Sequence, residues 1–256
     1  MDKKTVLITG ASSGFGYAIA EKYASEGHKV ILLARRLEKL KEFYDKYKEI
    51  CEIYYTQLDV KNLNGIKNFK DVLPGNFSEI DVLVNNAGLA LGLEKAYEAN
   101  MDDWLTMIDT NIKGLIYFTR LFLPDMVKKN KGHIINMGSI AGTYPYPSGN
   151  VYCATKAFVK QFSLALRADL LGTNIRVTNI EPGHSETEFS LVRFHGDIER
   201  AEKLYKGTEP LRGSDIAEIV YFITSLPEHI NINRIEIMPV CQAFSPLALY
   251  RKEQKN

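Results

Sequence analysis

Residues 5–27 read TVLITGASSGFGYAIAEKYASEG. A run of β-branched and aliphatic residues leads into a glycine-punctuated turn, and apolar residues then recur at helical spacing, so the stretch predicts strand, tight turn, helix. Without Cβ atoms, Gly10, Gly14 and Gly16 let backbone approach a pyrophosphate closely. The free N–H groups and positive end of the following helix stabilise its charge. Ser12, Ser13 and Phe15 complete the candidate loop. The three-residue gap between the first two glycines differs from the GxGxxG spacing, and no GKS or GKT follows, which favours a dinucleotide over a nucleoside triphosphate. A glycine-rich turn without a ligand is the alternative.

The same rhythm continues outward. KVILLA, CEIYYTQLDV, IDVLVNNAG, HIINMGS, IRVTNIEPG and IEIMP read as strands, separated by helical segments that include long ones from about residue 101 to 126 and 151 to 171. Seven strands alternating with helices predict an α/β fold, a doubly wound parallel sheet with helices on both faces, within one domain spanning residues 1–256. The strands are nearly continuous in apolar residues, as expected when helices cover both faces. Function then belongs at the C-terminal strand ends, at the point where the strand order reverses.

Those ends carry chemistry. The second strand closes with Arg35 and Arg36, where an NAD enzyme would place a carboxylate for the ribose hydroxyls. Guanidinium groups suit a 2′-phosphate instead, so the pair points to NADP, although a basic helix start would look the same. Asp59 and Val60 follow the third strand; the carboxylate could accept from an adenine amino group or cap the next helix. Asn85, Asn86, Ala87 and Gly88 form a small, polar wall suited to contact with a cofactor, or simply a turn. Ser139 ends the fifth strand, and the helix thirteen residues on carries Tyr152 and Lys156, four apart and therefore on one face.

With TGASSGFG, NNAG, Ser139 and YCATK together, the chain resembles the short-chain dehydrogenase/reductase family from end to end. The resemblance implies a single Rossmann-type domain of about seven parallel strands and a catalytic set of Asn111, in DTNIKG, with Ser139, Tyr152 and Lys156. NNAGLALG, GHIINMGS, GNVYCATKAFVKQFS, IEPG, TEFS, VRF and MPV are similar to the NADP-dependent 3-hydroxy acid dehydrogenases within it. That group interconverts serine, allo-threonine and related 3-hydroxy acids with the 3-oxo compounds. The family positions also place Pro182, Gly183, Ser185 and Thr187 at the nicotinamide end. Thr187 could equally be a turn former. His184 and Ser185 depart from the apolar residues expected there, and either reshape the pocket or face solvent.

The chemistry is legible from residue types. A phenol with a pKa near 10 is a poor base at neutral pH, and the Lys156 ammonium beside it would favour the phenolate. Ser139 can hydrogen-bond the substrate oxygen and Lys156 can also hold the nicotinamide ribose; the family resemblance implies that Asn111 anchors a water-mediated proton route. Cys153 lies about 100° around the helix and reads as packing. From about residue 184 to 212 runs a long segment placed as a substrate lid. Arg193 within it is the chosen partner for a substrate carboxylate, in competition with Lys203, Lys206 and Arg212.

Composition excludes other classes. Thirty-two Lys and Arg against 31 Asp and Glu leave a net charge of +1, with no basic block for nucleic acid. No apolar stretch approaches the roughly 20 residues of a membrane span. The start MDKKTVLITG leaves no room for a secretory signal, so a cytoplasmic protein is expected. Three scattered cysteines and five dispersed histidines offer no metal set. The two long helices, bearing Trp104 and Phe162, resemble those through which the family pairs subunits, and with the apolar tail FSPLALY (part of a C-terminal segment from about 239 to 256) the resemblance implies a homotetramer. A carbonyl reductase of another substrate class and a non-catalytic NADP(H)-binding redox sensor are the alternatives.

Overall fold

A computed structural model of the chain describes residues 3–244 and 249. Most of the FSPLALY tail lies outside them. In chain order the elements are β1 (Thr5–Thr9), α1 (Gly14–Ser25), β2 (Lys29–Ala34), α2 (Leu37–Tyr47), β3 (Ile53–Gln57), α3 (Leu63–Lys67), α4 (Phe69–Val72) and β4 (Val82–Asn85). There follow α5 (Met101–Ile108), α6 (Leu115–Lys129), β5 (Gly132–Met137), α7 (Asn150–Asp169), β6 (Ile175–Pro182), α8 (Phe189–Arg193), α9 (Ile198–Tyr205), α10 (Gly213–Ser225) and β7 (Arg234–Ile237).

The seven strands form one parallel sheet in the order β3-β2-β1-β4-β5-β6-β7. The chain runs outward from β1 to β3, then returns to place β4 on the other side of β1, so the reversal falls between β1 and β4. Strand alternation divides the core in two. Val6, Ile8, Val30, Leu32, Val84 and Ile135 pack under Ile19, Tyr23, Phe43, Ile216 and Val220 of α1, α2 and α10. Leu7, Ile31, Leu33, Leu83 and Ile134 face Ile66, Phe69, Phe118, Phe122 and Leu166 on the opposite side. This two-sided burial accounts for the continuous apolar strands. Among the described residues no helix is long and apolar enough to cross a membrane.

One helix differs from expectation. The stretch read as continuous from about residue 101 to 126 is interrupted by a π-type widening over Asp109–Gly114, and it then continues through Pro124 to Lys129. Asn130 takes the left-handed conformation at its end, with φ 51°. Asparagine tolerates this better than most residues.

At the reversal, the loop after β1 and the loop after β4 are stapled together. The Thr9 hydroxyl accepts from the Asn86 and Ala87 N–H groups, both at 3.0 Å, and the Asn86 side-chain amide donates to the Thr9 carbonyl at 2.9 Å. Gly10, at φ +69°, is in the left-handed region, and a Cβ on it would lie 2.9 Å from the Asn86 amide nitrogen. A Cβ on Gly16 would lie 2.3 Å from the Gly10 carbonyl oxygen, itself backbone and unable to swing aside. Gly16→Ala is expected to cost about 1–3 kcal/mol through this overlap, read as a lower urea midpoint with an unchanged m-value.

Candidate active site

The cleft at the reversal is lined along one wall by Gly10, Ser12, Ser13, Gly14 and Phe15, at its far end by Arg35, Arg36, Asp59 and Val60, and along the β4 side by Asn86, Ala87 and Gly88. Ser139, Tyr152, Lys156, Pro182, Gly183, Ser185 and Thr187 line the other end. Gly16 sits beneath the loop, providing the close approach just described. The start of α1 carries no acidic residue in its first turn, and Ser13 makes no side-chain capping bond there. The helix therefore presents its positive end and N–H groups to the cleft, a fit for a pyrophosphate.

Arg36 donates to the Ser12 hydroxyl at 3.2 and 3.3 Å and pairs with Glu188 at 2.8 Å. Arg35 is exposed beside it. Asp59 folds back to accept from the Lys61 N–H at 2.9 Å while its carboxylate still borders the cleft. Of the two asparagines after β4, only Asn86 borders the cleft. Asn85 is turned inward, donating to Asn136 at 2.9 Å and Thr119 at 3.0 Å, so its expected place in the cofactor wall is corrected to a buried tie between strands. Consecutive strand residues point to opposite faces, which separates the pair.

Tyr152 and Lys156 are both buried on α7. The Lys156 ammonium lies 5.9 Å from the Tyr152 ring centre and donates to the Met137 carbonyl at 2.8 Å, bridging its helix to the end of β5. Burial lowers the lysine's pKa from 10.5 to about 8. Burial raises that of Tyr152, opposed first by the positive charge of Arg193 and then by a hydrogen bond with Ser139. The Ser139 oxygen also accepts from the Ala141 N–H at 3.1 Å, so its own proton remains free to turn toward the cleft.

Asn111 lies in the widened segment rather than at the cleft wall. Its carboxamide accepts from the Leu89 N–H at 2.9 Å and donates to the Leu89 carbonyl at 2.8 Å and to Thr155 at 3.0 Å. The side chain is occupied by these bonds.

His184 turns away from the cleft, its ring 3.0 Å from the Thr208 hydroxyl and packed on Tyr205, while Ser185 borders the cleft and donates to the Gly183 carbonyl at 2.9 Å. Arg193 stands one layer behind the wall, against the rings of Phe189, Tyr146 and Tyr152. Lys203, Lys206 and Arg212 are absent from the cleft lining. Cys153 packs beside Gly149 and Tyr146. Sequence reasoning missed Glu188, Phe189 and Val192, which roof the cleft, and Tyr146, which holds Arg193. Their one signal was position: all lie in segments flanking the family-like motifs.

A glycine loop before a helix, a basic pair closing β2, and a Ser, Tyr and Lys set beside the reversal define a dinucleotide-dependent oxidoreductase fold. The chain belongs to the short chain dehydrogenase family, whose model matches residues 4–195. It is 56% identical over 247 residues to an NADP-dependent 3-hydroxy acid dehydrogenase, YdfG, of Salmonella typhi, covering 96% of this chain and 99% of the relative. A closed form of serine dehydrogenase complexed with NADP+ superposes with a TM-score of 0.92 at 53% identity, over 97% of this chain and all of that one. The serine dehydrogenase of Escherichia coli superposes at 0.82 with 49% identity, covering 94% of this chain and 100% of the other.

The buried ammonium carries a stability signature. Between about pH 8 and 10.5 the unfolded chain binds a proton at Lys156 that the folded chain does not, so folding gains stability as pH rises through that window. Relative to Lys156→Met, the wild type should therefore gain on the order of 3 kcal/mol across it. Paired urea titrations at several pH values check this, and parallel curves would refute a buried charged lysine.

Proposed function

We propose that the protein is an NADP-dependent oxidoreductase that moves a hydride between the nicotinamide and the 3-hydroxyl or 3-oxo carbon of a small 3-hydroxy acid, in the class of serine, allo-threonine, 3-hydroxypropionate and 3-hydroxyisobutyrate. The observation that carries the reading is the alignment of Arg35 and Arg36, the glycine loop, and the Ser139, Tyr152 and Lys156 set along one cleft. The relatives named for this activity, and the neighbour bound to NADP+, support it.

The residues fit the cofactor. Gly10, Ser12, Ser13, Gly14 and Phe15 would hold its pyrophosphate, and Arg35 and Arg36 the 2′-phosphate. Asp59 and Val60 would border its adenine, with Asn86, Ala87 and Gly88 against its middle. Pro182, Gly183, Ser185 and Thr187 would flank the nicotinamide, and Lys156 its ribose. The Arg36–Glu188 pair is half-exposed and worth at most about 1 kcal/mol, so a phosphate dianion can displace the carboxylate. Bound there, the nicotinamide supplies or accepts the hydride.

The chain's own residues manage the proton. In oxidation the Tyr152 phenolate takes the hydroxyl proton as the carbonyl forms; in reduction the phenol returns it. Ser139 holds the substrate oxygen in both forms, and Lys156 favours the phenolate by its charge. Asn111 fixes Leu89 and the widened turn through which the proton leaves. Arg193 binds the acid group of the substrate: its buried Nε has no hydrogen-bond partner, and an unpaired buried donor is costly unless a ligand fills it. The segment at about 184–212 acts as the lid.

We place the enzyme in the cytoplasm and infer a homotetramer. Met101, Leu105, Phe158 and Leu164 are exposed on α5 and α7, Phe158 stacks on Phe162 at 5.7 Å, and an apolar groove runs beside Tyr117, Leu121 and Phe162. Light scattering should give four times the chain mass of 29.0 kDa; a monomer would sink the inference.

Nicotinamide absorbance should report turnover of 3-hydroxy acids with NADP well above that with NAD. Tyr152→Phe should lower kcat by more than about a hundredfold, and a loss under tenfold would remove the phenol from its role. Arg193→Ala should raise KM for 3-hydroxy acids far more than for uncharged alcohols. Equal effects would remove Arg193 as the carboxylate partner.

A further inference from the structure

Arg193 closes α8 with its guanidinium inserted among aromatic rings. Its central carbon lies 5.1 Å from the ring centre of Tyr152, 5.3 Å from that of Phe189 and 5.6 Å from that of Tyr146. Nη2 donates to the Tyr146 hydroxyl, and the Arg193 carbonyl accepts from the Gly92 N–H at 3.0 Å. A solvated surface arginine is not held at both its backbone and its head. Guanidinium over a ring face is attractive in itself, and more so when water is excluded.

The groups facing Tyr152 come from three directions. Lys156 and Cys153 lie on its own helix, Ser139 beyond β5 and Tyr146 in the loop before α7, and Arg193 reaches in from α8. Burial pushes both the Cys153 thiol and the Tyr146 phenol up, so neither carries charge at neutral pH. Two cations remain, at 5.9 Å for Lys156 and 5.1 Å for Arg193 from the same ring centre. They differ in endurance. The Lys156 charge fades above about pH 8, whereas a guanidinium keeps its own throughout the working range.

Resting on the oxidoreductase reading above, we propose that Arg193 is a positioning residue for the acid/base: seated on the Tyr152 ring, its fixed charge shares with Lys156 the task of favouring the phenolate. A second consequence follows from the buried, unpaired Nε. An acid group bound there would partly cover the charge that Tyr152 feels, so an acidic substrate and an uncharged one would meet a phenol of different strength.

The test reads Tyr152 directly in cofactor-free protein. With tyrosines replaced by 3-fluorotyrosine, whose phenol titrates lower, the ¹⁹F resonance lost in Tyr152→Phe reports the midpoint of this one ring. Arg193→Gln should raise that midpoint by about one pH unit or more, a tenfold smaller phenolate fraction below it. Arg193→Met, which keeps the packing of the stem, should do the same if the glutamine variant does not fold. An unmoved midpoint in either folded variant overturns the proposal. The two readings of Arg193 separate cleanly. A higher KM for hydroxy acids with a fixed midpoint leaves only the substrate anchor, and a moved midpoint with unchanged KM leaves only the tuning.

Discussion

The structure is organised around an ammonium group that has been taken out of water. Lys156 is buried and has one strong protein acceptor, the Met137 carbonyl at 2.8 Å. An isolated buried charge is costly, and a lysine so placed tends to lose its proton. The fold keeps the group in place by fixing everything around it. α7 supplies the lysine, the end of β5 supplies the carbonyl, and Gly142 lets the turn between them lie against the backbone of α7: a Cβ there would be 2.7 Å from the Lys156 carbonyl carbon. These contacts set the buried ammonium 5.9 Å from the Tyr152 ring centre.

The cofactor end of the cleft solves a different problem, which is access rather than charge. Thr9, Gly10, Gly16 and Asn86 pack two loops so closely that side-chain volume is excluded from the centre. What remains facing outward is backbone and the start of α1. The two ends therefore depend on opposite properties: one on an unusually buried charge, the other on the removal of side chains.

Much of this was legible in the residues. Strand-length apolar runs separated by helical periods specify a parallel sheet because each face must be covered. Glycines between a strand and a helix, and a Tyr and Lys four apart, are local patterns whose geometry follows from the backbone. What was not legible depended on contacts between distant segments. Nothing in DTNIKG announces a π-type widening, since one extra residue in a turn leaves the apolar period nearly intact. NN after β4 does not say which amide faces inward; the sheet decides. Arg193 was identifiable as a cation in the right segment, but its stacking requires Tyr146, 47 positions away in sequence. Glu188 escaped notice because its partner, Arg36, had already been allotted to a phosphate.

These last contacts explain how α8 can cover the cleft without sealing it. Glu188, just before the helix, reaches Arg36 at one end of the cleft, and Arg193, its final residue, rests on Tyr152 at the other. Of its five residues only Ser190 is buried. The segment is thus held by an ion pair, hydrogen bonds and ring contacts instead of a deep apolar seat, and such elements belong to the low-stability part of a structure. Glu188 borders the cleft where it meets Arg36, and at the other end the Arg193 Nε is buried without a hydrogen-bond partner. The helix is therefore tied to the cleft through charged side chains at its two ends, Glu188 on Arg36 and Arg193 on Tyr152.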